Sequence, residues 1–294
     1  MRVALLHNAA AGREDHQDAE VGQVIRDAGH ELVHVVRRVS ELTAALHDQP
    51  CDLVVVAGGD GTVGRAACEL SGWQVPLSIF PLGTANNTAR SLNLPAQHAR
   101  AALSWHQARR VPFDIGLIGD GAVRRRFAEA VGWGVFPSAI AKAKRTAARK
   151  HAHHTLQGDR KLIRAMVRAA SPREYRIQVD GRDVSGAYLL VEVMNVALLG
   201  PRLSLSPASE SADGVFELVL AGEEHRAALE ELATEGCVKR AQPLRVESGA
   251  RMRIETDDPL MHCDGRLWRH ASGNRQFEIE VEPGAIHYLA GACG

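Results

Sequence analysis

The sequence is poor in lysine, aromatic residues and cysteine, and neither sign of charge is in excess. Its 35 Lys and Arg residues equal its 35 Asp and Glu residues, so no bulk positive charge draws it onto nucleic acid. Lysine stands only at positions 142, 144, 150, 161 and 239. The other basic positions are arginine, which suits bidentate phosphate contacts. The cysteines, Cys51, Cys68, Cys237, Cys263 and Cys293, are odd in number and never fall in C-x-x-C spacing. This argues against a disulfide framework and a cysteine-based zinc site, and fits a reducing compartment. The N-terminal run Val3–Leu6 is too short for a secretory signal. The most hydrophobic window, residues 184–200, is broken by Glu192 and falls short of a bilayer span. A cytoplasmic protein is expected, with any membrane contact peripheral and at the inner face.

The remaining composition is that of a globular protein. At 294 residues, 45% apolar and 24% charged, the chain is long enough for about two domains. Strand-like runs at Val3–His7, Glu31–Arg38, Leu53–Ala57 and Leu77–Phe80 alternate with helical patterns. Those patterns cover Glu14–Ala28, Ser40–Gln49, Thr62–Leu70, Asn87–Leu92 and Ala96–Arg109. Such alternation predicts a parallel sheet covered on both faces. After Pro112 the texture changes. Arg173–Val179, Ala187–Val196, Val215–Leu220, Leu244–Val246, Met252–Thr256 and Gln276–Val281 read as strands, several strictly alternating. Helical patches interrupt them near 137–170 and 223–235. The expected fold is α/β plus β. An N-terminal doubly wound parallel α/β domain (1–112, with 285–294 returning to it) precedes an antiparallel β-sandwich domain (113–284).

Two glycine-rich turns follow neighbouring strands. The third strand leads into Gly58-Gly59-Asp60-Gly61-Thr62 and then a helix, with Val63 and Gly64 in the first turn. Glycine lets backbone N–H groups approach a ligand with no Cβ in the way, and a helix N-terminus offers unpaired amides and a positive dipole end to phosphate. The fourth strand leads into Pro81-Leu-Gly83-Thr84-Ala-Asn86-Asn-Thr-Ala-Arg90, where Thr84 and Asn86 can cap a helix or reach a nucleotide. Neither P-loop spacing nor a G-x-G-x-x-G fingerprint is present.

These paired turns resemble the diacylglycerol kinase catalytic-domain family, which includes bacterial soluble lipid kinases and the sphingosine and ceramide kinases. Asn8–Gly12 resembles the family's first loop, with Ala9 in place of its Pro. Phe113-Asp114-Ile115-Gly116, Pro207-Ala208, Asp213-Gly214 and Asp264-Gly265 resemble later motifs, so the similarity covers nearly the whole chain. It implies an ATP- and Mg²⁺-dependent kinase that phosphorylates the hydroxyl of diacylglycerol or a related lipid at the membrane surface, in a chain that forms a homodimer. Asn8, Gly12, Gly58, Gly59, Asp60, Gly61, Thr62, Val63, Gly64, Gly83, Thr84 and Asn86 would meet the nucleotide. Asp213, with the carbonyls of Glu210 and Val215, would hold Mg²⁺, and Asp264 would be the base. Asp114 would be a supporting carboxylate linking the domains. Alternatives are an NAD kinase-like phosphotransferase, because the Gly-Gly-Asp-Gly turn also resembles those enzymes, and a non-catalytic nucleotide or lipid sensor.

The chain departs from the family pattern at three places. Gly64-Arg65 replaces the usual Asn-Glu, Ala128 the usual Asn after Phe127, and Arg266 the Glu that completes the late Asp-Gly motif. Either Asp264 alone serves as base, or the acceptor is anionic and meets Arg266, or catalysis is weak. On spacing alone, Asp264-Gly265 and Asp213-Gly214 are also turn signals. Between 142 and 168, basic residues outnumber the single acid Asp159, and an amphipathic helix there suits either an anionic lipid surface or packing on the sandwich. His151, His153 and His154 form a histidine cluster read as an exposed loop.

Overall fold

The computed structural model describes residues 1–8, 18–150, 155–269 and 275–290. Gly12 with its loop, the expected helix start at Glu14, and His151, His153 and His154 lie outside the described residues. The chain divides into two compact units, Met1–Ile115 with Pro283–Gly294, and Gly116–Glu282.

In the first unit, β1 (Arg2–His7), β2 (Glu31–Val36), β3 (Leu53–Gly58) and β4 (Leu77–Pro81) pair in parallel in the order β2-β1-β3-β4. A parallel ladder requires crossovers, which α1 (Asp18–Asp27), α2 (Leu42–Asp48) and α3 (Asp60–Glu69) supply. β3 is buried along its whole length, which is why it reads as an unbroken apolar run. α4 (Asn87–Ser91) and α5 (His98–Ser104) follow. Phe80 stacks on His98 at 4.6 Å, and the Trp105 indole donates to Ser78 Oγ at 3.0 Å. The expected helix to Arg109 is shorter, ending at Ser104 and passing into a 3-10 turn over Trp105–Gln107. β5 (Arg109–Gly119) already begins at Arg109. Near the C-terminus, Tyr288 pairs in parallel with Leu77 and packs edge-on against Phe113.

The second unit opens with β6 (Arg124–Phe127), β7 (Ala130–Gly134), α6 (Val135–Lys150) and α7 (Leu156–Ala169). Next come β8 (Arg173–Val179), β9 (Arg182–Asp183), β10 (Gly186–Tyr188), β11 (Leu190–Met194), β12 (Leu198–Leu199) and β13 (Leu203–Ser204). β14 (Phe216–Ala221), α8 (Arg226–Glu235), β15 (Arg245–Gly249), β16 (Arg251–Thr256), β17 (Leu260–Cys263), β18 (Arg266–Arg269) and, up to Glu282, β19 (Arg275–Ala290) complete it. One antiparallel sheet runs β15-β14-β11-β7-β17-β18. β10, β8, β16 and the first half of β19 pair antiparallel in a second layer. Between them lies a core with Trp133, Tyr175, Phe216 and Phe277, as the period-2 alternation of these strands demands. The outer face of the first sheet, with Leu190, Met194 and Val219, is covered by Ile163 and Val167 of α7 and Leu229 and Leu232 of α8.

Two sequence expectations change here. The helical patch at 137–170 is two helices, the second capped by Thr155, whose hydroxyl accepts the Gly158 amide at 3.0 Å. The last strand does not stop at Val281. Pro283 has no N–H to pair, and Gly284 carries the chain past it at φ 56, donating its amide to Asp114 Oδ1 at 2.7 Å.

Candidate active site

In the first unit the two glycine turns are packed backbone to backbone. A Cβ on Gly83 would lie 2.6 Å from the Gly59 Cα, and one on Gly59 would lie 3.2 Å from the Gly83 Cα. The Leu82 amide donates to the Gly58 carbonyl at 3.0 Å, and Asn8 Nδ2 donates to Thr62 Oγ1 at 2.9 Å. Asn8, Gly58, Gly59 and Thr62 therefore converge with Gly83 at the carboxyl ends of β1, β3 and β4, where open α/β sheets bind ligands.

Not every expected nucleotide contact is exposed there. Asn86 sits in left-handed conformation (φ 54) and turns its amide inward. Its Oδ1 accepts from the Gly83 amide at 2.9 Å, and its Nδ2 donates to the Gly83 carbonyl at 2.8 Å. Asp60 Oδ1 accepts the Thr88 amide at 3.3 Å, tying the first turn to α4. Both residues hold the cradle's shape. Thr62 and Val63 donate their amides to the Gly59 carbonyl, and Thr62, Val63 and Gly64 are buried in α3. The surface of the cradle is left to Gly61, Thr84 and the glycine backbone, and Gly61 and Thr84 are exposed. A cradle that a Cβ would fill is what close phosphate approach requires, so these residues fit a nucleotide phosphate.

In the second unit, Asp264 and Gly265 form the two-residue turn between β17 and β18, with φ 46 and 69. Both positive values are those of a hairpin turn of the kind Asp-Gly favours. The Asp264 carboxylate is not directed into solvent. Oδ2 accepts the Ala128 amide at 2.9 Å, and Oδ1 accepts those of Glu129 and Ala130 at 2.8 and 3.2 Å. Burial raises its pKa above the ordinary carboxylate value, and the three amides and His262 pull the other way. A carboxylate has about four lone-pair sites; the three amides leave one, on Oδ2. Asn195, which sequence reasoning did not single out, pins the same loop by donating Nδ2 to the Ala128 carbonyl at 2.8 Å.

Asp213 is exposed, and its Oδ1 accepts the Val215 amide at 3.2 Å across Gly214, at φ 78. Nearby Glu217 is nearly buried; burial raises its pKa, and the charges of Asp213 and Glu210 raise it further. Asp213 and Glu210 thus lie close enough to Glu217 for their charges to act on it, and carboxylate oxygens are the kind of ligand a hard divalent cation takes. No group of three His, Cys, Asp or Glu side chains gathers for a metal among the described residues.

Asp114 is fully buried, and its contact to Gly284 lies within the first unit. The basic helix packs rather than standing free. Arg164 and Arg168 both hold Glu230 of α8, at 3.3 and 2.8 Å, and Arg160 donates to the Pro201 and Arg202 carbonyls. The apolar face of α7, with Ile163 and Val167, packs on the sandwich. No helix among the described residues is long and apolar enough to cross a membrane.

Comparisons with known proteins show the family and the fold. Residues 2–118 match the diacylglycerol kinase catalytic domain, and residues 133–290 match the YegS C-terminal NAD kinase beta sandwich-like domain. The chain is 28% identical over 234 residues to the diacylglycerol kinase of Mycobacterium tuberculosis, covering 77% of this chain and 71% of that one. It is 28% identical over 282 residues to a "Probable lipid kinase YegS-like" of Cronobacter sakazakii, covering 90% and 88%. A crystal structure of a diacylglycerol kinase from Bacillus anthracis superposes with TM-score 0.71 at 19% identity, covering 99% of this chain and 97% of that one. Yeast NADH kinase complexed with NADH is a more distant fold neighbour, with TM-score 0.53 at 10% identity over 98% and 83% of the two chains.

Proposed function

Because this chain belongs to the diacylglycerol kinase catalytic-domain family, we propose that it transfers the γ-phosphoryl group of ATP to the hydroxyl of a lipid, diacylglycerol or a close relative. The observation that carries this reading is the mutual approach of Gly59 and Gly83, which packs the two turns together too closely for a side chain at either position. The roles follow from the chemistry. Phosphoryl transfer needs in-line positioning, screening of phosphate charge and a carboxylate beside the attacking oxygen.

The backbone at Gly59–Gly61 and Gly83–Thr84 binds and orients the phosphates. Asn8, Asp60 and Asn86 hold those turns in shape. Asp213, with the carbonyls of Glu210 and Val215, is the set assigned to Mg²⁺, which when bound screens phosphate charge. Asp264 accepts the acceptor's hydroxyl proton on the lone pair that the three amides leave at Oδ2. Arg266 takes no part in that proton transfer, because a guanidinium stays charged. Substrate access is by peripheral contact with a membrane, and the active form is a homodimer in a cytoplasmic setting.

The fold shared with NADH kinase makes a nucleotide acceptor the second reading. Incubation with radiolabelled ATP and Mg²⁺ and, separately, diacylglycerol, a sphingosine-like lipid and NAD distinguishes the readings. Labelled lipid is the expected product. Labelled NAD would replace this reading, and nucleotide binding with no product from any acceptor would reduce the chain to a sensor.

A further inference from the structure

Arg125 and Arg266 differ from the arginines around them. On β6, Arg124 and Arg126 project to one side and hold Glu280 at 3.2 Å and Glu282 at 2.8 Å. Strand alternation sends Arg125 to the opposite side, where its guanidinium lies over the Trp268 ring, 4.5 Å from the centroid. Trp268 and Arg266 are two residues apart on β18 and so share a face. Arg266 sits opposite Cys263 in the β17–β18 ladder. Both guanidinium charges reach the Cys263 sulfur, whose pKa burial pushes up, with Asp264 raising it further and the two arginines opposing.

Neither guanidinium has a carboxylate at ion-pair distance among the described residues. The adjacent acid, Asp264, spends its carboxylate on the amides of 128–130. Two like charges on one face with no acid paired to them are the charge pattern that attracts an anion. Stacking on Trp268 fixes the plane of Arg125 without using its N–H groups, so the donors stay available for a bidentate oxyanion.

We propose that Arg125 and Arg266 form an anion clamp for a phosphate group carried by the acceptor, either the headgroup of an anionic phospholipid or a free phosphorylated alcohol. This deepens the kinase reading and rests on it for the word acceptor; the clamp itself can be tested without nucleotide. It also gives a role to Arg266, since a carboxylate at that position would repel the same ligand.

The test is a tryptophan fluorescence titration of the full chain without ATP, with Trp268→Phe as the control that assigns the signal. The probes are glycerol 3-phosphate and phosphatidylcholine vesicles with and without phosphatidate. Saturable binding is expected, weakened roughly tenfold in Arg125→Gln and again in Arg266→Gln, with unchanged thermal midpoints. Saturation by glycerol 3-phosphate identifies a free phosphate as sufficient; a response to phosphatidate vesicles alone assigns the lipid headgroup. Equal binding by wild type and both variants, or no response to either probe, overturns the clamp. A silent titration beside robust phosphorylation of a neutral lipid would sink the clamp and leave the kinase. Phosphate binding without phosphorylation of any acceptor would do the reverse.

Discussion

Glu192 on β11 and His262 on β17 meet at 2.7 Å although β7 runs between their strands. The residue of β7 opposite both is Gly132, and a Cβ there would lie 2.0 Å from Glu192 Oε2. The missing side chain opens the path along which the carboxylate reaches across a whole strand. Both partners are essentially without solvent exposure, at 0% and 1%. His262 Nδ1 in turn accepts the Gly265 amide at 3.4 Å, so the pair braces the turn that carries Asp264.

Breaking that pair should be costly, because a lone charge would remain buried. Glu192→Gln and His262→Leu should each lower unfolding free energy by about 3–5 kcal/mol, and Gly132→Ala by about 1–3 kcal/mol through overpacking, read by chemical denaturation. If His262→Leu lies within error of the wild type, the pair is not the brace described here.

The same pair sets an alkaline limit. Burial alone would lower the His262 pKa, but the adjacent Glu192 carboxylate more than offsets this, and the folded value stands above the usual 6.5. Burial likewise raises Glu192, with His262 opposing. For a group raised on folding, stabilisation is complete below its unfolded pKa and is lost as pH rises through the folded one. Stability should therefore fall on the alkaline side of 6.5, and the fall should flatten in His262→Leu. Denaturation midpoints across a pH series provide the check.

Gly83→Ala should separate the two turns, since its Cβ would lie 2.6 Å from backbone that cannot rotate away. A loss of about 1–3 kcal/mol is expected, together with loss of binding to a fluorescent ATP analogue. Gly59→Ala, at 3.2 Å, should be milder on both counts. The reverse order would contradict the cradle geometry.

Asp264→Asn places an amide NH₂ against one of the N–H donors the carboxylate now accepts. A stability cost of about 1–3 kcal/mol is expected, and phosphoryl transfer should fall about 100-fold or more if the side chain is the base. Undiminished turnover in a folded Asp264→Asn variant would assign the residue to the turn alone.

Glu230 gives the opposite pH sign. The Arg168 hydrogen bond, then that of Arg164, holds its pKa below the ordinary carboxylate value. That contribution is present above the unfolded pKa and lost as pH falls through the folded one. Glu230→Gln should shallow the acid limb of the stability curve while costing much less than Glu192→Gln, because the Arg164 and Arg168 side chains are 44% and 57% exposed and such pairs are screened by water and salt.

The strand–helix alternation of the first half, the antiparallel texture of the second and the two glycine turns were legible in the sequence. Each is a local property: side-chain period, β-branching, and the φ freedom of glycine. Short strands such as β7, β17 and β18 were not, since Ala130–Gly134 carries two glycines and Leu260–Cys263 is too brief for a period to show. Asp-Gly at 264 and 265 signalled a turn by itself and a base only through the family resemblance, and only the amides of 128–130, distant in sequence, showed how the carboxylate is held. The sequence left the arginines of α7 open to lipid or to packing, and only the fold brought Glu230 of α8 to Arg164 and Arg168. The bond between Glu192 and His262 depends on which strands become neighbours and on which position between them lacks a side chain. Residue pattern determined the elements; strand order, through nonlocal packing, decided which charges are paired, which are buried and which remain open to a ligand.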